Sequence, residues 1–391
     1  MNVRVQAALP DRDARLHTPR AAGDATAAAR AGGLLTVDLA ALGRNYQSLR
    51  AMLNGRACAA VVKADAYGLG AAETAPVFYD AGCRHFFVAH LDEGLALRDV
   101  LPDDSAIMVL NGLMPGAEAD CAAAGLVPVL NCLEQVAGWS AHARRLGRRL
   151  PAFIQIDTGM SRMGLPEADL ARLAAAPDRL DGIVIEAVMS HLACADEPDH
   201  PANAEQLANF RARRAWLPDA PASFANSSGI FLGPDYHFDI ARPGAALYGL
   251  NPQPHLDNPM RPVVRLQAKV VQLRDIAPGA HVGYGWRFRA ERSTRIATVA
   301  VGYADGWLRS LSDHGAVWMD GIRLPIAGRV SMDSITVDVT AIAPDRIRPG
   351  SLVDLIGPDQ PADAVAAMAG TIGYEVLTSL GGRYHRRYVA G

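Results

Sequence analysis

Eight short apolar runs, each followed by a stretch with helical spacing, occupy residues 34–249 and leave few folds open. The runs are 59–63, 85–90, 107–111, 127–131, 152–157, 182–191, 223–227 and 240–248. Continuous apolar runs of this length suit strands buried on both faces, as in a parallel sheet covered by helices. Between them, 92–100, 133–146 and 205–217 read as helices, the last with Leu207, Phe210 and Leu217 near one face. Repeated β-then-α units imply a parallel sheet, and eight of them favour a closed (β/α)8 TIM-like barrel over an open doubly wound sheet.

Polar residues support that choice. Lys63, His90, Asn111, Asn131, Asp157, His191, Asn226 with Ser227, and Arg242 all lie at or near the C-terminal end of a run, where such barrels build active sites. Lys63 is the most informative of them. An amine held where burial or neighbouring charge favours its neutral form is a nucleophile able to form a Schiff base. Taken alone it reads as a solvated loop lysine, and His90, Asn111 and Asn131 read as turn residues without an assigned role.

After Asn251 the texture changes. Residues 251–262 are Pro-rich and read as a connection, while 263–273, 295–301, 316–319, 335–339 and 352–356 read as strands bounded by Gly and Pro, with a helix at 362–369. The expected organisation is a disordered extension over 1–33, a barrel over 34–257 and a mostly β domain over 258–391. A formal net charge of -3 gives no reason to invoke nucleic acid or an anionic membrane surface. The five cysteines form no C-x-x-C pair, so neither a disulfide framework nor a zinc ribbon is expected, and a reducing cytoplasmic setting fits best. Residues 1–33 lack the apolar core of a signal peptide, and no run of eighteen apolar residues occurs.

Phosphate-loop and dinucleotide fingerprints are absent; the nearest stretch, Gly283-Tyr-Gly285, lacks the third glycine. The segment 191–200 is rich in metal-ligand residue types, but its spacing matches no zinc pattern, and no metal is expected.

Several segments converge on one family. AVVKADAYGLG around Lys63 resembles the pyridoxal phosphate (PLP) attachment motif of the alanine racemase family, and Asp157-Thr-Gly-Met-Ser-Arg162-Met-Gly resembles its second motif. More follow in the family's order: Met189-Ser-His191-Leu, Asn226-Ser227-Ser228, Arg242-Pro-Gly244, Val282-Gly-Tyr284-Gly285, Gly302-Tyr303-Ala-Asp305-Gly306 and Gly328-Arg-Val-Ser-Met332-Asp333. The resemblance runs from about residue 34 to the C terminus. It implies a PLP barrel followed by a β domain and a two-base racemisation of alanine, expected to supply D-alanine for peptidoglycan or to serve alanine catabolism.

Roles follow from the same resemblance. Lys63 carries PLP and serves as the base on one face of the substrate, and Tyr284 serves on the other. Arg242 faces the pyridine nitrogen of the cofactor, supported by His191. Phosphate is held by Tyr67, Ser227 and Gly244, with Asn226 beside them. Arg162 orients the substrate carboxylate or the catalytic tyrosine. Met332 stands where the family places a neighbouring subunit's residue against substrate, so a homodimer is expected, with Tyr284 and Met332 acting across its interface.

Some positions depart from the family's pattern. Gln155 stands where many members carry a carbamylated lysine; it can hydrogen-bond Arg162 but carries no charge. Leu69 stands for a usual His, and Ser331 for a Cys. A phosphate-binding Tyr near the C terminus aligns with Gly382, leaving Tyr384 as the substitute. The rival readings are a broader amino-acid racemase, a PLP-dependent decarboxylase, a non-enzymatic PLP-carrying barrel and a metal-dependent barrel hydrolase.

Overall fold

The computed structural model describes residues 21–390. Its first half is the barrel expected from the eight runs. Ala57–Cys58 and Ala60–Val61 form the first stave, followed by His85–Val88, Ala106–Val109, Val127–Leu130, Leu150–Gln155, Ile183–Met189, Ala222–Ser223 and Ile240–Ala241. Neighbouring staves run parallel from Ala60–Val61 through to Ala222–Ser223. Ile240–Ala241 pairs with Ala57–Cys58, and backbone bonds from Arg242 N to Ala225 O (2.8 Å) and Asp239 N to Ala222 O (3.0 Å) close the ring.

Val127–Leu130 is buried at every residue, as a strand covered on both faces must be. Helix Leu133–Leu146 has the predicted bounds and stops where Gly147, at φ 65°, takes the left-handed conformation that satisfies terminal carbonyls. Helix Ala202–Arg214 ends before Leu217, although Leu207, Phe210 and Leu217 are all buried. The expected strand over 240–248 is only Ile240–Ala241; Ala245–Tyr248 is a 3₁₀ turn.

The second half is mostly β. One sheet runs Ile322–Pro325, Ala316–Met319, Leu352–Ile356, Val264–Ile276, Gly33–Asp38 and His385–Val389; Thr294–Val299 pairs with the far half of Val264–Ile276 and with Ile335–Asp338. Its thirteen-residue strand Val264–Ile276 serves both parts because its register shifts between Val270 and Gln272.

Two sequence expectations are corrected here. Residues 1–20 lie outside the described residues, but Ala21–Arg30 of the expected disordered extension is a helix, and Lys269 Nζ donates to its Ala28 and Ala29 carbonyls at 2.6 and 2.7 Å. An ammonium at a helix C-terminus is favourably placed against the helix dipole. The barrel does not begin at residue 34: Gly33–Asp38 is a strand of the β domain's sheet, antiparallel to Val264–Ile276 and parallel to His385–Val389. Helix Gly373–Thr378, which the sequence reading omitted, lies against the segment that follows Lys63.

Candidate active site

The residues after the first stave take an unusual path. From Ala64 to Tyr67 four consecutive non-glycine residues have φ of 53–57° and positive ψ, one turn of left-handed helix. Each such residue costs roughly 1–2 kcal/mol, so the surrounding contacts must hold the turn in place. Glu93 Oε1 accepts from Ala64 N at 2.7 Å, Asp65 Oδ1 accepts from Ala71 N at 2.7 Å, and Arg386 of the β domain donates to Gly68 O at 2.6 Å. Gly68 itself sits at φ 81°, where a Cβ would lie 2.5 Å from Leu377 O. Both Lys63 and Tyr67, one turn apart, consequently face the mouth of the barrel.

There they line a cavity of about 570 Å³. Arg162, His191 and Arg242 also line it, as do Asn226, Ser227 and Gly244, so most residues singled out from the sequence meet in one place. Tyr284 and Met332 do not: they belong to the β domain and are 71% and 53% exposed. Asp157 shapes the loop that presents Arg162, its Oδ1 accepting from Gly159 N and Ser161 N at 3.0 and 3.1 Å.

Arg242 is the electrostatic centre. Only 3% exposed, it donates to Ser223 Oγ (2.6 Å), Ser190 O (2.7 Å) and His191 Nδ1 (3.4 Å), and no carboxylate pairs with it among the described residues. A buried cation without an acid is costly, and burial pulls its pKa down to about 9, which still leaves it charged at neutral pH. A guanidinium can only donate, so His191 Nδ1 accepts and the imidazole is neutral with its proton on Nε2. Burial first, then Arg242, Arg162 and Lys63, pull the His191 pKa down to about 3. The same causes act on Lys63: burial lowers its pKa most, Arg162 and Arg242 lower it further, and Glu93 opposes them. An amine so placed is biased towards its neutral, nucleophilic form.

The other end of the cavity is built for close approach. At Gly244 a Cβ would stand 2.2 Å from Tyr67 Oη. Ser227 Oγ accepts from Gly244 N and Ala246 N at 2.9 and 3.2 Å, which leaves its own proton free to donate. Tyr67 Oη makes no hydrogen bond to protein among the described residues, and its ring is fixed 4.7 Å from that of Tyr248 and 6.0 Å from that of Tyr374. An unpartnered phenol, a hydroxyl and a bare glycine fit a phosphate at one end, with the amine of Lys63 available for an aldehyde. PLP carries both groups.

Several expectations need correction. Gln155 does not bond Arg162; its Nε2 donates to Met163 O at 3.3 Å within the same loop system. Tyr384 does not replace a phosphate-binding tyrosine, because it is buried against Gly33 in the β domain, where its Oη has no partner among the described residues. Tyr374, on the omitted helix, lines the cavity instead. Its Tyr-Glu-Val-Leu setting reads as an ordinary amphipathic turn. Asn131 is structural, donating to Leu110 O and Val129 O.

A lysine at a barrel-strand end, a buried acid-free arginine and a phosphate cradle define a PLP-dependent barrel enzyme with a β domain. The chain belongs to the alanine racemase family: the family's N-terminal domain profile matches residues 37–252 and its C-terminal domain profile 263–388. A protein of Mesorhizobium japonicum named alanine racemase, catabolic, is 56% identical over 363 residues, covering 93% of this chain and 95% of that one. An alanine racemase of Brucella canis is 53% identical over 372 residues, covering 92% and 94%. Among solved structures, an alanine racemase from Bartonella henselae with covalently bound pyridoxal phosphate superposes with a TM-score of 0.89 at 44% identity, covering 92% of this chain and all of that one.

Proposed function

We propose that this chain interconverts L- and D-alanine, with PLP carried on Lys63 and protons exchanged at Cα by Lys63 on one face and Tyr284 on the other. The observation that carries the reading is Arg242, buried, charged and without an acid, in the same cavity as Lys63. When bound, PLP supplies the electron sink that makes the Cα proton removable. Everything else falls to the chain's own side chains.

Tyr67 and Ser227, with Asn226 beside them and the open space at Gly244, would hold the phosphate, and Tyr374 adds a further wall. Arg242 would hold the pyridine nitrogen. A guanidinium keeps its proton, so it would leave that nitrogen unprotonated and a weaker electron sink, which would restrain side reactions such as transamination. His191 sets the orientation of Arg242, and Arg162 would take the substrate carboxylate. Lys63 Nζ moves the proton on its own face of Cα, and Tyr284 Oη on the opposite one.

Tyr284 and Met332 come from a second copy in this reading, so the working unit is a homodimer. Their exposure supports it, together with Trp286 at 70%, because large apolar side chains left open on one domain suit an interface. Free cysteines throughout the described residues suit a reducing cytoplasm.

Initial rates on L-alanine, D-alanine, L-serine and L-lysine test the substrate. Alanine should be fastest in both directions; faster turnover of serine or lysine would replace this reading by a broader racemase, and carbon dioxide release by a decarboxylase. We assign the physiological role as D-alanine supply for peptidoglycan. The name of the Mesorhizobium relative favours alanine catabolism as the second reading. Deleting the gene separates them: dependence on added D-alanine supports the first, failure to grow on alanine as carbon source the second.

A further inference from the structure

We propose that Glu93 is the positioning residue for Lys63, tying the lysine's left-handed turn to the end of the neighbouring barrel strand. This rests on Lys63 being the PLP-bearing lysine. Glu93 is the third residue of helix Leu91–Arg98, and a glutamate there ordinarily reaches back only to its own helix N-terminus. Here its two oxygens divide. Oε2 accepts from Ala89 N (2.7 Å) and His90 N (3.1 Å), just beyond the stave His85–Val88, while Oε1 leaves the helix and accepts from Ala64 N at 2.7 Å.

Ala64 is the residue directly after Lys63 and the first of the four left-handed ones. Its N–H finds its acceptor in Glu93, so a single carboxylate fixes where the strained turn starts and hence where the lysine stem leaves the backbone. Charge-assisted bonds of this kind are about twice as strong as neutral ones. The groups acting on the amine are Glu93, Arg162 and Arg242, with neutral His191 beside them, and Glu93 is the one that raises the Lys63 pKa. Glu93 lies outside the PLP cavity, which makes it a positioning residue and not a catalytic one.

Covalent capture of PLP by the apoenzyme is the direct readout. The neutral Nζ adds to the aldehyde carbon, water leaves as the C=N bond forms, and borohydride then delivers hydride to that carbon, fixing a mass increase on Lys63. Glu93→Gln keeps the side chain's size but has one acceptor oxygen, so at least one of the three amides loses its partner. Above the capture midpoint, where Nζ is neutral in both proteins, capture by E93Q should slow about tenfold or more, the order expected for losing a hydrogen bond to a charged group. Its pH midpoint should also move down, because the carboxylate that opposed Arg162 and Arg242 is gone. In the loaded fraction kcat should fall with KM unchanged.

Capture by E93Q at the wild-type rate would overturn the proposal. So would slower capture with an unmoved midpoint, which would mark a general loosening of the barrel rim. Glu93→Asp keeps the charge and loses the reach, so its midpoint should stay near wild type while its capture is slow; a wild-type rate there would also overturn the proposal. Lys63→Ala, run alongside, separates the two readings: PLP still fixed covalently in that variant would remove Lys63 as the anchor whatever Glu93 does.

Discussion

Gly244 offers the sharpest test of the phosphate end, because its role is steric and can be separated from chemistry. An alanine Cβ there would stand 2.2 Å from Tyr67 Oη, 3.0 Å from Tyr67 Cζ and 3.3 Å from Val61 Cβ. Tyr67 cannot yield freely, since its ring is packed 4.7 Å from Tyr248 and 6.0 Å from Tyr374 on the far side of a strained turn. Overpacking of this kind costs about 1–3 kcal/mol, which for a domain of this size lowers Tm by roughly 2–4 °C per kcal/mol. If the displaced hydroxyl is a phosphate ligand, a similar loss falls on cofactor binding, roughly 5- to 150-fold in the PLP Kd. Titrating the apoprotein with PLP and melting it with and without cofactor measures both. Adding Tyr67→Phe removes the 2.2 Å clash, so G244A/Y67F should regain part of the Tm lost by G244A while still binding PLP weakly. Wild-type Tm and Kd in G244A would refute the steric argument. Full recovery of PLP affinity in the double variant would show that the Tyr67 hydroxyl is not a ligand.

Lys63→Ala should leave no covalently fixed PLP after borohydride reduction, read by intact mass. Tyr284→Phe should slow proton abstraction from one enantiomer by about 100- to 10,000-fold, the worth of a positioned base, with rates compared in both directions. Mixing those two inactive variants should restore part of the activity if Tyr284 acts on the other subunit's cavity, and a mixture as inactive as its parts would refute action across an interface. Racemisation should be insensitive to added bicarbonate, because Gln155 cannot be carbamylated; a bicarbonate-dependent rate would place a carbamate elsewhere. His191, with its folded pKa near 3 against an ordinary 6.5, contributes stability that is present above pH 6.5 and lost as pH falls towards 3. His191→Asn should therefore flatten the acid side of the Tm profile, and an unchanged slope between pH 6.5 and 4 would contradict a neutral buried imidazole.

All eight staves were legible because each is a continuous apolar run between helical stretches, a local signal that survives without tertiary context. The polar strand ends were legible for the same reason, and the motifs around Lys63, Arg162 and Arg242 gave them roles. Gly33–Asp38 was misplaced because its partners lie more than two hundred residues downstream, and pairing at that distance leaves no mark on local pattern. The left-handed turn was invisible too: Ala, Asp, Ala and Tyr each prefer the right-handed region, and contacts that include those from the distant Glu93 and Arg386 override that preference. Glu93 reads in sequence as an ordinary first-turn acid. Tyr374 carries no such mark: it stands ten residues before Tyr384 on a helix of only six residues, and only the fold brings its side chain to the cavity.

Gly33–Asp38 also sets an order of events during synthesis. It leaves the ribosome before any of the barrel, yet the strand it lies beside, His385–Val389, emerges only after the whole barrel. At about 5–20 residues per second that interval is roughly 17–70 s, long enough for the barrel to close first. The β domain must therefore complete itself around a segment made before the barrel. A fragment covering only residues 258–391 would lack the strand between Val264–Ile276 and His385–Val389, so dissecting this protein at its apparent domain boundary removes a central piece of the second unit.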